Sequence, residues 1–297
     1  MKKHSIPRLA LALAALTAGN CWAAATALNV TTSVAPYAGT TNTAQSNGSI
    51  DVSAQSAADE VEYSNGTSSA FATTQGAYHL NGYATGKYSQ GAPLSSTADT
   101  ALSFSFTNDT GFAQAFNLKF KVLGGSLDAL LRDGTTALSD TESVAASYDA
   151  MIKVNGVSRF ESHAVLGRDQ SGLSLNQSGV SLSSDDGSDG RFSWGIYSQV
   201  IDLGILAAGQ SVTIDASMFL SASSQTEWAD NIHDVEDFSC DGTVFRGCGR
   251  ATIGDPFAIN TFVFEPAAQG GGNVPEPGTL MLAGLGMVTA LLRRRKR

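Results

Sequence analysis

Apolar and polar residues alternate with a period of two over long stretches of this chain. In the segment 211–222, Val212, Ile214, Ala216, Met218, Leu220 and Ala222 share one side. Ser211, Thr213, Asp215, Ser217 and Ser221 share the other, with Phe219 the exception. Leu102, Phe104 and Phe106 alternate with Ser103, Ser105 and Thr107, and Phe116, Leu118, Phe120 and Val122 with Asn117, Lys119 and Lys121. Successive side chains of a strand point to opposite faces, so this pattern predicts half-buried antiparallel strands. Further strands are expected at Leu28–Val34, Ser49–Ala54, Ala150–Val154, Leu173–Leu182, Phe192–Leu203 and Phe257–Phe264. Between them stand turn-forming pairs: Asn65-Gly66, Asn81-Gly82, Asp133-Gly134, Asn155-Gly156, Asp186-Gly187 and Asp189-Gly190. Some ten strands, each with one wet face, predict an all-β fold, an antiparallel β-sandwich of jelly-roll type. No fixed-period repeat points to a propeller or solenoid. One interruption is expected: Ser139-Asp-Thr-Glu142 has the form of a capping box and predicts a brief helix within 127–146.

The two ends break this pattern. Lys2, Lys3 and Arg8 precede the apolar run Leu9–Leu16, and small residues follow at Ala23, Ala24 and Ala25. That is the layout of a cleaved secretory signal peptide over residues 1–25. A peptidase requiring small residues at −3 and −1 would cut after Ala25 or after Ala23. At the other end, Pro275-Glu276-Pro277 precedes the apolar run Leu280–Leu292, and Arg293-Arg-Arg-Lys-Arg297 closes the chain. As a helix the run spans roughly 20 Å, against roughly 30 Å of bilayer hydrocarbon. It is a short transmembrane segment that depends on local thinning or snorkelling of the arginines, with its basic end cytoplasmic. The domain plan is therefore a signal peptide (1–25), an extracellular β-sandwich (26–269), a Gly-rich linker (270–273) and a C-terminal segment (274–297).

That C-terminal segment resembles the PEP-CTERM sorting signal in all three of its parts, taken in order: the Pro-Glu-Pro tripeptide, a short Gly/Leu/Ala helix and an arginine-rich terminus. The resemblance implies a transient membrane stage and processing near Pro275, Glu276 and Pro277 by exosortase, a membrane cysteine transpeptidase. It further implies a Gram-negative bacterium that makes exopolysaccharide, and delivery of the body to the cell surface or extracellular matrix. It covers residues 274–297 alone. The other reading of the same segment is a permanent C-terminal anchor.

The whole chain carries 27 acidic and 18 basic residues, a formal net charge of −9. With the eight basic residues of the two ends and Glu276 set aside, 10 basic residues face 26 acidic ones, a body near −16. Such a surface has no electrostatic footprint for phosphate backbones, so nucleic acid is not an expected partner.

Cys21 leaves with the signal peptide, and Cys240 and Cys248 remain. In an oxidising compartment a disulfide between them is expected, closing a loop that contains Gly242 and Gly247. Asp185, Asp186 and Asp189 crowd one loop, a density of hard oxygen ligands that suits Ca²⁺, although Asp-Gly pairs are also plain turn chemistry. Asp230, Asp234, Glu236 and Asp237 form a second acidic cluster. Tyr78, Tyr83, Tyr88, Trp194 and Trp228 are candidate stacking faces for sugar rings, or core.

No Gly-x-Ser-x-Gly elbow or His-Glu-x-x-His is present. Gly82–Lys87 is one residue short of a phosphate loop and runs on into Tyr88. His79, His163 and His233 stand isolated in sequence. The expectation is a non-enzymatic structural or adhesive protein of surface or biofilm matrix, with exopolysaccharide or other matrix proteins as partners. A carbohydrate-binding module, with or without calcium, is the second reading, and a secreted glycan-active enzyme the third.

Overall fold

A computed structural model describes residues 25–35, 42–46, 52–60, 64–73, 78–86, 93–132, 137–227, 246–254 and 262–267. Residues 1–24 of the expected signal peptide, the linker and the C-terminal helix lie outside these residues, as do Tyr88, Trp228, His233, Cys240 and the second acidic cluster. The described chain is strand and turn, with no helix. In order the strands are β1 (Ala25–Ala35), β2 (Asn42–Ser46), β3 (Val52–Glu60), β4 (Ser64–Ala72), β5 (Tyr78–Gly86), β6 (Leu94–Thr107), β7 (Gln114–Val122) and β8 (Gly125–Leu131). They continue with β9 (Ser143–Val154), β10 (Val157–Asp169), β11 (Gly172–Gly179), β12 (Arg191–Trp194), β13 (Tyr197–Leu206), β14 (Ser211–Gln225), β15 (Gly247–Gly254) and β16 (Phe262–Pro266).

They form three antiparallel sheets: β11-β10-β9-β14-β6-β1-β2, β12-β8-β15-β5-β4-β3 and β13-β7-β16. The seven-stranded sheet is one layer, and the other two sheets face it. One core joins all three through Phe104 and Ile152 of the first, Leu80 and Leu127 of the second, and Leu118 and Phe264 of the third. The alternating apolar positions of β6, β7 and β14 are buried, as the period-two pattern requires. The arrangement is sandwich-like. Its meanders β3-β4-β5 and β9-β10-β11 stay within one sheet, and sixteen described strands exceed the expected ten, so the order departs from an eight-strand jelly roll.

The smaller sheets are two halves of a broken layer. Val122 pairs with Tyr197 in one, and Gly125 with Trp194 in the other. Only Leu123-Gly124 and Gly195-Ile196 separate those pairs. At this break the ladder leaves Leu123 without strand partners, and two buried aromatics supply them. The Leu123 N–H donates to the Tyr78 hydroxyl at 3.0 Å, and Trp194 Nε1–H donates to the Leu123 carbonyl at 2.9 Å. A Cβ on Gly125 would collide with the Trp194 ring and the Thr252 carbonyl, so only glycine fits there.

Core side chains grow in size from one end of the sandwich to the other. Under the three-stranded sheet Phe104 meets Phe262 at 4.6 Å between ring centroids, and Phe106 stacks on Phe264 at 4.5 Å. At the opposite end Ala84 and Ala222 pack with Val34 and Leu94.

Several local expectations change. Asn155-Gly156 is the β9–β10 hairpin turn, with φ of 50° and 77° as a type I′ turn needs. Asn65-Gly66 and Asn81-Gly82 instead lie inside β4 and β5. Gly82 faces the Ser96 carbonyl, 3.2 Å from where a Cβ would stand, so its role is close approach of the two layers. The described residues of 127–146 hold no helix. The Ser139 N–H does donate to Glu142 Oε2 at 2.9 Å, as in a capping box, but the chain turns there into β9. The expected strand Phe192–Leu203 is cut at the break into β12 and β13.

Candidate functional site

The seven-stranded sheet buries one face and leaves the other to solvent. Small residues predominate at the centre of the open face, with longer ones flanking them. Met151, Ser217, Ala101, Asn29 and Gln45 form one row across β9, β14, β6, β1 and β2. Lys153, Asp215, Ser103 and Ala27 form the next. Ala101, Ser103 and Ser217 make a low floor between walls carrying Met151 and Lys153 on one side and Asn29 and Gln45 on the other. The result is an open trough of about 560 Å³, within the roughly 300–1,000 Å³ common for ligand sites. Ser103 donates to Asp215 Oδ1 at 2.8 Å. Asn29 Oδ1 is buried without a hydrogen-bond partner.

A third row sets Ser178, His163, Asp149, Phe219 and Asp99 side by side on β11, β10, β9, β14 and β6. His163 Nδ1 lies 2.6 Å from Asp149 Oδ1, and both side chains are exposed. No hydrogen bond joins Ser178 to the ring among the described residues. Burial pushes the Asp99 carboxyl above its ordinary range. His163 and Asp149, 14 residues apart, meet through hairpin register, which sequence spacing alone does not display.

Asp185, Asp186 and Asp189 are engaged within their own turn region. Asp185 accepts from the Gly187 N–H at 3.0 Å and from the Ser193 N–H and hydroxyl at 3.0 and 3.3 Å. Asp186 accepts from the Ser188 N–H at 3.0 Å, and Asp189 from the Arg191 N–H at 2.9 Å. Hydrogen bonds from Gly187 and Ser193 hold Asp185, and those from Ser188 hold Asp186, below the usual carboxylate range. Among the described residues no three His, Cys, Asp or Glu side chains gather into a metal-ligand set. The geometry at Asp185, Asp186 and Asp189 is that of turn chemistry: each carboxylate accepts from a backbone N–H of its own turn region.

The aromatic candidates among the described residues lie inside the protein. Tyr78, Tyr83 and Trp194 are all buried, so none offers an open face to a sugar. Burial pushes the Tyr78 hydroxyl far above its ordinary value, against the opposing Leu123 N–H. His79 Nδ1 lies 3.3 Å from the Gly254 carbonyl. Cys248 is fully buried on β15 against Tyr83 and Leu130, and Cys240 lies outside the described residues.

A half-buried ion pair went unread in the sequence. Arg246 Nη1 donates to Glu142 Oε2 at 2.7 Å, and the Glu227 N–H donates to Glu142 Oε1 at 2.9 Å. Arg246 also donates from Nη2 to the Ala137 carbonyl at 2.6 Å. Glu142 thus ties the turn before β9 to the end of β14 and the start of β15. The capping-box spacing was the available signal; the Arg246 partner, 104 residues away, had none.

Comparison with protein families matches residues 273–296 to the PEP-CTERM protein-sorting motif. The chain carries a PEP-CTERM sorting signal. That motif marks an exported protein, sorted to the cell envelope of a Gram-negative bacterium by an exosortase. Pro275, Glu276 and Pro277 lie within it. The β-rich body of this PEP-CTERM protein falls outside the match. Comparison with curated proteins gives no match.

Among solved structures, the enzymatically active domain of bacteriophage CBA120 tailspike protein 4 is 8% identical over 74% of this chain and 20% of that one, with a TM-score of 0.18. A CocE/NonD family hydrolase from Staphylococcus aureus is 11% identical over 59% of this chain and 33% of that one, with a TM-score of 0.12. The chain spans a fifth and a third of their lengths, and likeness this slight carries no argument about fold or activity.

Proposed function

We propose that this PEP-CTERM protein is a non-enzymatic structural or adhesive component of the cell surface or exopolysaccharide matrix. The sorting motif at 273–296 carries the reading. The wide open face of the seven-stranded sheet, built largely of serine, threonine and alanine, supports it as a contact surface. On this reading the signal peptide is removed on export and the C-terminal helix is a transient membrane stage that exosortase ends.

The test is fractionation of the producing strain. Protein lacking 274–297 is expected to disappear from the matrix fraction, and a C-terminal tag to be missing from mature protein. An unchanged distribution without the tail, or a tag retained in the mature form, overturns the sorting half of the proposal. Reducing ends released from matrix polysaccharide by the purified protein would overturn the non-enzymatic half.

Export also places Cys240 and Cys248 in an oxidising compartment, where we expect them to pair. Closing so short a loop stabilises by roughly 2–3 kcal/mol. Thiol titration of denatured, unreduced mature protein should find none free; two free thiols would sink the pairing.

A further inference from the structure

We propose that the trough on the open face of the seven-stranded sheet is a binding site for a neutral polysaccharide chain. A sugar ring presents apolar C–H faces and a rim of hydroxyls that both donate and accept, and the trough offers the complement of each. Ala101 and Met151 supply apolar contact. Asn29, Gln45 and Ser217 supply amide and hydroxyl groups that donate and accept in the same way.

The walls on β9 and β1 stand three strand spacings apart, about 14 Å between backbones. The trough is open to solvent, which suits a polymer segment better than an enclosed small molecule. Asn29 Oδ1 is a buried acceptor with no partner in the protein. Leaving such an atom unpaired is costly, and a ligand hydroxyl that reached it would offset that cost.

Charge selects the class of polymer. Lys153 and Asp215 stand opposite each other in register, so the lining of the trough carries no net charge, and the body around it is near −16. An anionic chain would be repelled by the molecule as a whole, whereas a neutral one is indifferent to it. The inference deepens the matrix reading and rests on it for the source of the polymer alone. Binding is measured on purified protein, so its failure leaves the fractionation result untouched.

The experiment is affinity electrophoresis of the mature secreted protein in native gels. The gels carry dextran, galactomannan or the neutral exopolysaccharide fraction of the producing strain, with alginate as the anionic comparison. Wild type is expected to be retarded by at least one neutral polymer, equally in chelator and in 0.5 M salt, a level that screens surface charge to a few ångströms. Ala101→Trp, which fills the floor, should weaken that binding at least tenfold. Asn29→Ala and Met151→Ala, which remove single contacts and leave the floor intact, should each weaken it several-fold with an unchanged melting temperature.

Retardation by none of the neutral polymers overturns the proposal. So does retardation by alginate alone, equal retardation of wild type and all three variants, or a trough substitution that changes only the oligomeric state.

Discussion

Burial alone would raise the carboxyl of Glu142, yet hydrogen bonds from Ser139 and Glu227 and the guanidinium of Arg246 hold it below its ordinary range. A carboxyl depressed in the folded state contributes stability above its unfolded value near 4.3 and loses it as pH falls through the folded one. Arg246→Met should therefore lower stability at pH 7 by about 2–3 kcal/mol, less than a fully buried pair because Arg246 stays partly in water. The same variant should flatten the acid limb, and urea titrations at pH 7 and pH 4 check both.

Asp99 has the opposite sign. Its folded value is raised by burial between Thr31 and Phe219, so ionisation strains the fold and stability is relieved as pH falls towards the unfolded value. Asp99→Asn should stabilise at pH 7 by less than about 1 kcal/mol and not at pH 3. The sequence singled out neither Asp99 nor the Arg246 partner of Glu142. Glu142 showed half of its role in the capping-box spacing, and Asp99 stood among alternating residues of one strand, its neighbours fixed by pairings some 70 and 120 positions away.

At the scale of elements, the strands that alternate large apolar with small polar residues were legible, β6, β7 and β14 above all. The strands β3 and β4 were obscure because Ser, Ala, Gln and Gly fill them, and a closely approached sheet needs no large side chain. Breaks were obscure for a different reason. Phe192–Leu203 alternates through Gly195 as if it were one strand, and only the paired kink at Leu123-Gly124 shows that it serves two sheets. That kink makes a sharp prediction. Trp194→Phe keeps the ring in the core but removes the donor to the buried Leu123 carbonyl, which should cost about 1–3 kcal/mol. Tyr78→Phe orphans the Leu123 N–H and should cost a similar amount. Urea midpoints measure both losses, and hydrogen exchange at the amides flanking the break should quicken in each variant before it does elsewhere. A midpoint unchanged in both would mean that the break is held by packing alone.

Across the whole molecule the chain closes on itself late. β1 lies between β2 and β6, and β16 completes the three-stranded sheet by pairing with β7, about 140 residues earlier. Such long-range pairing makes for slow folding, since distant segments must meet before the core rewards them. The last described strand ends at Pro266, and the Ala267 N–H donates to the Ala115 carbonyl at 2.9 Å. The sorting motif begins at residue 273, so processing within it falls beyond that strand. Protein ending at residue 273 should consequently melt within a degree or so of the full chain. Protein ending at residue 261 should not fold. It lacks Phe262 and Phe264, which are 2% and 1% exposed against Phe104 and Phe106. Truncating one buried phenylalanine costs about 3–5 kcal/mol, and losing two with their strand approaches the roughly 5–15 kcal/mol that holds a domain together. Circular dichroism and calorimetry on the two truncations separate the cases. A stable fold ending at 261 would show β16 to be dispensable, and a large loss on ending at 273 would show that the sorting segment contributes to the fold it delivers.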